Sequence, residues 1–103
     1  MFTIKRGDTR YALKAILKDG DGIPVDLNNC DVSFIIKGVM ERTPYIHDAV
    51  NGEVWVVFHP EDTANEGYYI GEFKVVYSDN RIETFPNEGF IRIHITESLG
   101  GTN

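Results

Sequence analysis

Apolar and polar residues alternate with a period of two along most of this chain, and turn-forming clusters interrupt the alternation at short intervals. The alternating runs cover residues 11–18, 30–37, 53–58, 68–77, 81–85 and 90–96, with 2–5 and 23–27 as shorter candidates. They are rich in β-branched and aromatic residues, which suit a pleated, half-buried surface. Between them stand Asp19-Gly20-Asp21-Gly22, Asn28-Asn29, Asn51-Gly52, Asn65-Glu66-Gly67, Ser78-Asp79-Asn80 and Pro86-Asn87-Glu88-Gly89. Gly and Asn tolerate the positive φ of tight turns, and Asp accepts bonds from its own downstream backbone. No run carries a sustained helical period with caps. Residues 60–67 have room for one helical turn, with Asp62 bonded to nearby amides.

The alternation assigns faces. Leu13, Ala15 and Leu17 oppose Lys14 and Lys18, while Val32, Phe34 and Ile36 oppose Asp31, Ser33 and Lys37. Ile91, Ile93 and Ile95 oppose Arg92 and His94, and Tyr69, Phe73, Val75 and Tyr77 share a face with Gly71. Half-buried antiparallel sheets divide core from water in this way. Asn51-Gly52 fits the central positions of a type I′ turn and predicts a hairpin between 45–50 and 53–58. About seven or eight short strands at this spacing predict an all-β fold, an antiparallel two-sheet β-sandwich of immunoglobulin-like kind, with a small barrel less favoured. Residues 1–96 are expected to form one domain and 97–103 a flexible C-terminal tail.

Two strands depart from clean alternation. Trp55 and Val57 sit between Val54, Val56 and Phe58, and Tyr68, Ile70 and Val76 add apolar groups opposite Tyr69 and Phe73. Either loops cover these side chains or they form an exposed contact patch of the kind that marks an interface. Trp55, Val57, Tyr68, Ile70 and Val76 are therefore the candidate interface residues. The segment Asp62-Thr-Ala-Asn-Glu-Gly-Tyr-Tyr-Ile-Gly71 resembles the tyrosine corner of immunoglobulin-type sandwiches. Tyr69 would be the corner residue, and Gly71 would take the place of the second disulfide cysteine.

Charge and composition remove several functions. Sixteen acidic against ten basic residues leave a formal charge of -6 over 103 residues, which argues against a nucleic-acid partner. No apolar run is long enough for a membrane helix, and no secretory signal follows Met1. Cys30 is the single cysteine, so no intrachain disulfide is expected, and it reads as a small buried hydrophobe near a strand start. Asp19, Asp21 and Asp26 could be imagined around Ca²⁺, but the twelve-residue loop pattern is missing and Asp-Gly is ordinary turn chemistry. Arg6-Gly7-Asp8 matches an adhesion tripeptide, yet between two strands it reads as a turn. His47, His59 and His94 show no ligand spacing for a metal. Glu61-Asp62 reads as generic loop surface, and no nucleophile elbow, phosphate loop or zinc motif occurs. No enzyme activity, cofactor or metal is expected.

Taken in order, Lys5-Arg-Gly-Asp-Thr9, Leu17-Lys-Asp-Gly-Asp-Gly-Ile-Pro-Val-Asp-Leu27 and Val32-Ser-Phe34 open a pattern. It continues with Asn51-Gly-Glu-Val54, Asp62-Thr-Ala64, Gly67-Tyr-Tyr69, Glu72-Phe73 and Arg81-Ile-Glu-Thr-Phe-Pro86, before a closing strand at 91–95. This pattern resembles the N-terminal domain of siphophage baseplate upper proteins, and it spans residues 2–96. The resemblance implies a β-sandwich of virion-assembly type from a tailed phage or prophage of a Gram-positive host. Made in the host cytoplasm, it would dock into the virion tail tip. Its partners would be other tail or baseplate proteins and further copies of itself, with no nucleic acid and no membrane. The family plan continues into C-terminal host-binding regions, whereas this sequence ends at Glu97-Ser-Leu-Gly-Gly-Thr-Asn103. The expectation is therefore an accessory tail protein, or the docking half of a two-polypeptide arrangement. The alternative is a carbohydrate-binding sandwich that stacks host cell-wall glycans on Trp55, Tyr68 and Tyr77.

Overall fold

Each period-two run has one apolar side to bury, and a pair of facing sheets buries all of them at once. In a computed structural model, which describes residues 1–99, the runs become nine strands. These are β1 (Phe2–Lys5), β2 (Leu13–Ile16), β3 (Asp31–Ile36), β4 (Met40–Arg42), β5 (Tyr45–Asp48), β6 (Glu53–Val56), β7 (Gly67–Val76), β8 (Ile82–Phe85) and β9 (Ile91–Thr96). A single 3-10 turn, Pro60–Thr63, separates β6 from β7. One sheet runs β1-β9-β7-β3-β4 with β8 also on β7, and the other runs β2-β6-β5. Neighbours are antiparallel except β1 and β9, which run parallel.

The faces assigned by alternation meet in one core. Leu13, Leu17, Val54, Val56 and Phe58 pack from the three-stranded sheet side against Val32, Phe34, Phe73, Val75, Ile93 and Ile95 of the larger sheet. Phe34 and Phe73 are cross-strand partners with rings 4.6 Å apart, and both are fully buried. Gly71 lies beneath them. A Cβ at that position would meet the Phe34 ring and the Ile35 carbonyl, each at 3.0 Å. The glycine therefore lets β3 and β7 close over the aromatic pair.

Several expectations change. The hairpin between β5 and β6 forms, but Asn51 keeps a negative φ and the turn is not type I′. Instead residues 49–52 make a four-residue turn, closed by the Gly52 amide on the Ala49 carbonyl (3.2 Å) and by Asp48, which accepts from the Asn51 amide. Only Gly52 has positive φ there (+69°), and a Cβ on it would lie 2.8 Å from the carbonyl oxygens of Leu17 and Val25. Contact with the chain beyond β2 thus selects the turn. Residues 23–27 form no strand: their backbone makes an isolated bridge, Lys18 to Pro24, and scattered bonds from the Val25 amide to Leu17 and the Leu27 amide to Ala49, with no continuous ladder. The short strand β4 was not expected, since three residues carry no readable period.

β8 and β9 lie along the same edge of β7. Phe85 opposes Phe73 and Ile91 opposes Gly71, so the seven residues 85–91 span three of β7 and four are looped out. The loop is Pro86-Asn87-Glu88-Gly89, pinned by the Asn87 amide group on Glu83 and on the Thr84 carbonyl. Of the expected tail at 97–103, the described residues reach Leu99, and 100–103 lie outside them.

Candidate functional site

The ionisable groups of the interior gather beside the 3-10 turn. Pro60 starts the turn, and Asp62 accepts a bond from the His59 amide at its head (2.7 Å). The Asp62 side chain is 2% exposed, and the guanidinium of Arg42, just after β4's central residue, meets it with two donors. Arg42 also donates to the Val57 carbonyl (3.2 Å), so it ties β4 to the end of β6 and to the turn. Burial pushes the Asp62 carboxyl up, but the Arg42 bonds, the His59 amide and the Arg42 charge together hold it below the usual carboxylate range. The hydrogen bond to Asp62 raises Arg42 against the opposing effect of burial. Glu61-Asp62 is therefore not a generic surface pair: Glu61 faces water, and Asp62 is a buried structural anion. Thr63 donates to the Asp8 carbonyl (3.0 Å), and the Tyr69 hydroxyl donates to the Asn65 carbonyl (2.8 Å). This corner holds architecture: the buried Asp62 side chain and its bonds join β4, the end of β6 and the 3-10 turn.

The five candidate interface residues do not form one surface. Trp55 and Val57 point out from the three-stranded sheet, whose opposite side buries Val54 and Val56. Tyr68, Ile70 and Val76 point out from the larger sheet, whose opposite side buries Phe73 and Val75. A single alternation argument cannot place residues of two strands on a common side of the molecule. Here it merges two outer faces that lie back to back.

The two faces also differ in chemistry. Trp55 is opposite Lys14 on one flank and Tyr45 on the other. The Lys14 ammonium sits 4.3 Å from the indole centroid, while His47 stacks on the indole at 4.1 Å and 13°. The indole N–H donates to Glu53 (2.8 Å), and the His47 imidazole is 3.9 Å from the same carboxylate. Trp55 is therefore bracketed from both neighbouring strands and half-buried, whereas Val57 and Tyr45 are exposed. On the other face Tyr68 is 75% exposed, with its ring stacked on His94 at 4.0 Å and 11°. Ile70 lines a hollow of about 420 Å³ with Ile35, Phe90, Lys37 and Glu72. Val76 lines a separate hollow of about 310 Å³ with Ile46, Ser33 and Thr43. Tyr77 turns inward and donates to Glu83 (2.7 Å); burial first, then that carboxylate, push its hydroxyl well above the usual tyrosine range. Trp55, Tyr68 and Tyr77 do not converge on one platform.

The remaining motifs are used locally. Gly7 (φ +84°) turns the chain after β1, its amide donates to the Thr63 carbonyl, and Arg6 reaches back to the Ser98 carbonyl. Asp19 accepts from the amides of Asp21 and Ile23, while Asp26 accepts from Asn28. These carboxylates thus serve two separate turns. Cys30 is half-buried before β3, and burial together with Asp26, Asp31 and Asp79 raises its thiol, which keeps it protonated and a poor nucleophile. Among the described residues no three His, Cys, Asp or Glu side chains are grouped to hold a metal, and no helix is long and apolar enough to cross a membrane.

Sequence reasoning missed Arg42, Lys14, His47 and His94. A two-residue loop at Asn51-Gly52 would set Asp48 opposite Trp55, so the pairing of Tyr45 with Trp55 follows only from the four-residue turn and the irregularity between Ile46 and Asp48. The bond from Arg42 to Asp62 spans three elements and has no local signature. Scanned against protein families and curated sequences, the chain matches no family model and no curated protein.

Proposed function

We propose that this chain is a non-enzymatic docking module of a phage tail tip or baseplate, immunoglobulin-like in topology, acting through protein–protein contacts. The strand order supports the immunoglobulin reading. β2, β6 and β5 take the positions of strands B, E and D, while β4, β3, β7 and the joined β8–β9 take those of C′, C, F and G. The bond from the Tyr69 hydroxyl to the Asn65 carbonyl at the start of β7 supports it too. The order and spacing of the motifs from Lys5 to Pro86 support the tail assignment.

The observation that carries a binding role is the division of labour among polar and apolar groups. Asp62, Arg42 and Tyr77 are committed to structural pairs, while Tyr68, Tyr45, Val57, Phe90 and Ile82 are left exposed on the outer faces. Large aromatic groups held rigidly at a surface are what protein contacts exploit. Repeated copies around a tail axis would add weak contacts into avidity. The test is immunogold electron microscopy of purified particles from the phage or prophage that encodes the chain. Gold at the tail tip supports the reading. Bare tails from a lysate that contains the protein would remove it.

A second reading, binding of wall glycans, draws on Tyr68, whose ring is oriented by His94 and widely exposed. It predicts that host wall polysaccharide shifts the Tyr68 and His94 resonances. A titration that leaves them unmoved discards it.

A further inference from the structure

From the open edge of the three-stranded sheet we infer a second binding site, one that takes an extended segment of a partner protein by strand addition beside β2. Among the described residues, the sheet order β2-β6-β5 leaves β2 with no neighbour opposite β6, because β1 pairs with β9 in the other sheet. The Leu17 amide donates to Gly52 on the β6 side, and the Val25 amide donates to Leu17 on that same side. Backbone groups alternate along an antiparallel strand. The N–H and C=O groups of Lys14 and Ile16 therefore point to the open edge, and Ile16 is 50% exposed. Natural sheets blunt such edges with bulges, short strands or charge. β5 has an irregular register between Ile46 and Asp48, β4 has three residues, and β1 ends in exposed Lys5. β2 is as short as β1, at four residues, but it is regular in register, and its Lys14 is drawn over Trp55 instead of along the edge.

Two hollows meet at this edge and share Ala15, Ile16 and Lys18. The inner one, about 200 Å³, reaches between the sheets to Leu17, Phe73, Phe85, Pro86 and Ile91, with Lys18 at its mouth. Ala15 is too small to fill it. The outer one, about 520 Å³, carries Lys14 and Lys18 beside Glu53, whose carboxylate is already engaged by the Trp55 indole. An added strand places alternate side chains in these two hollows. The matching occupant alternates bulky apolar residues, facing inward, with acidic residues, facing the two lysines. The β2 strand of a second copy does not match, since it brings Lys14 and Lys18 to an edge that already holds them. This site adjoins the Trp55 face at its β2 margin, through Lys14 and Glu53, but it rests on the open edge and stands whatever the labelling of tails shows.

The experiment is residue-resolved amide exchange on the isotope-labelled chain, titrated with a short synthetic peptide of alternating valine and glutamate. Slowed exchange at the Lys14 and Ile16 amides is expected, with no slowing by a valine–lysine peptide at the same concentration. Ile16→Pro removes an edge N–H that the chain's own sheet does not use, and binding should fall roughly tenfold. Lys18→Glu, at an exposed side chain that leaves the fold intact, should weaken the acidic peptide about threefold. The inference is overturned if both peptides act alike, or if neither slows these amides at millimolar concentration. Slowing that appears without peptide as protein concentration rises also overturns it, because a second copy is then the occupant.

Discussion

The corner beside the 3-10 turn and the outer faces of the two sheets use residue types in opposite ways. In the corner, Asp62 and Arg42, the types most associated with chemistry, are buried or half-buried and spent on joining β4, β6 and the turn. On the outer faces, aromatic residues, the types most associated with cores, stand in water. The difference teaches that residue type does not reveal role. Whether a group's partners lie within the chain does.

The largest expected effect breaks the corner. Arg42→Met leaves the Asp62 carboxylate buried with only the His59 amide, and the chain should lose about 3 kcal/mol in urea unfolding. That is the low end for a broken buried pair, because the Arg42 side chain is already 24% exposed. If the loss were within the range of an ordinary surface substitution, the corner would not be the structural element described.

Acid should open the same corner gradually. Asp62 has a lowered pKa in the folded chain, so its contribution is complete above the unfolded carboxylate value of about 3.9 and is lost as pH falls through its own lower value. In that window the unfolded chain binds the extra proton, so stability rises with pH. Asp62→Asn should flatten the difference between urea midpoints measured at acid and neutral pH. An unchanged slope would assign the acid sensitivity to other carboxylates.

The outer faces should then separate from each other. Trp55→Ala removes the ring that Lys14, His47 and Glu53 share, with an expected loss of about 1–2 kcal/mol. Tyr68→Ala removes one exposed stack on His94 and should move stability by no more than about 0.5 kcal/mol, while, on the proposed tail-docking reading, reducing incorporation into tails. Equal losses of stability for the two variants would erase the contrast between a bracketed and an open aromatic. Full incorporation of Tyr68→Ala would remove that face from docking.

How much was legible follows from the range of each interaction. The strands with a side to bury declared themselves through period two, and Leu13, Val32, Phe34, Phe73, Val75, Ile93 and Ile95 are in the core for that reason. β4 was too short to show a period, and the turn at Asn51-Gly52 was decided by the carbonyls of Leu17 and Val25 rather than by its own two residues. The candidate patch was assembled from strands whose faces were known only relative to themselves.

By itself, then, the sequence determined which side of each long strand is apolar, where the chain turns, and that the result is two-sided β-structure, because these follow from residues two to four positions apart. Only the tertiary structure decided that Trp55 and Tyr68 lie on opposite outer faces, that β8 and β9 share one edge of β7, that Arg42 finds Asp62, and that β2 keeps an open edge. Those outcomes depend on which strands become neighbours, and neighbourhood is set by the closure of the whole core.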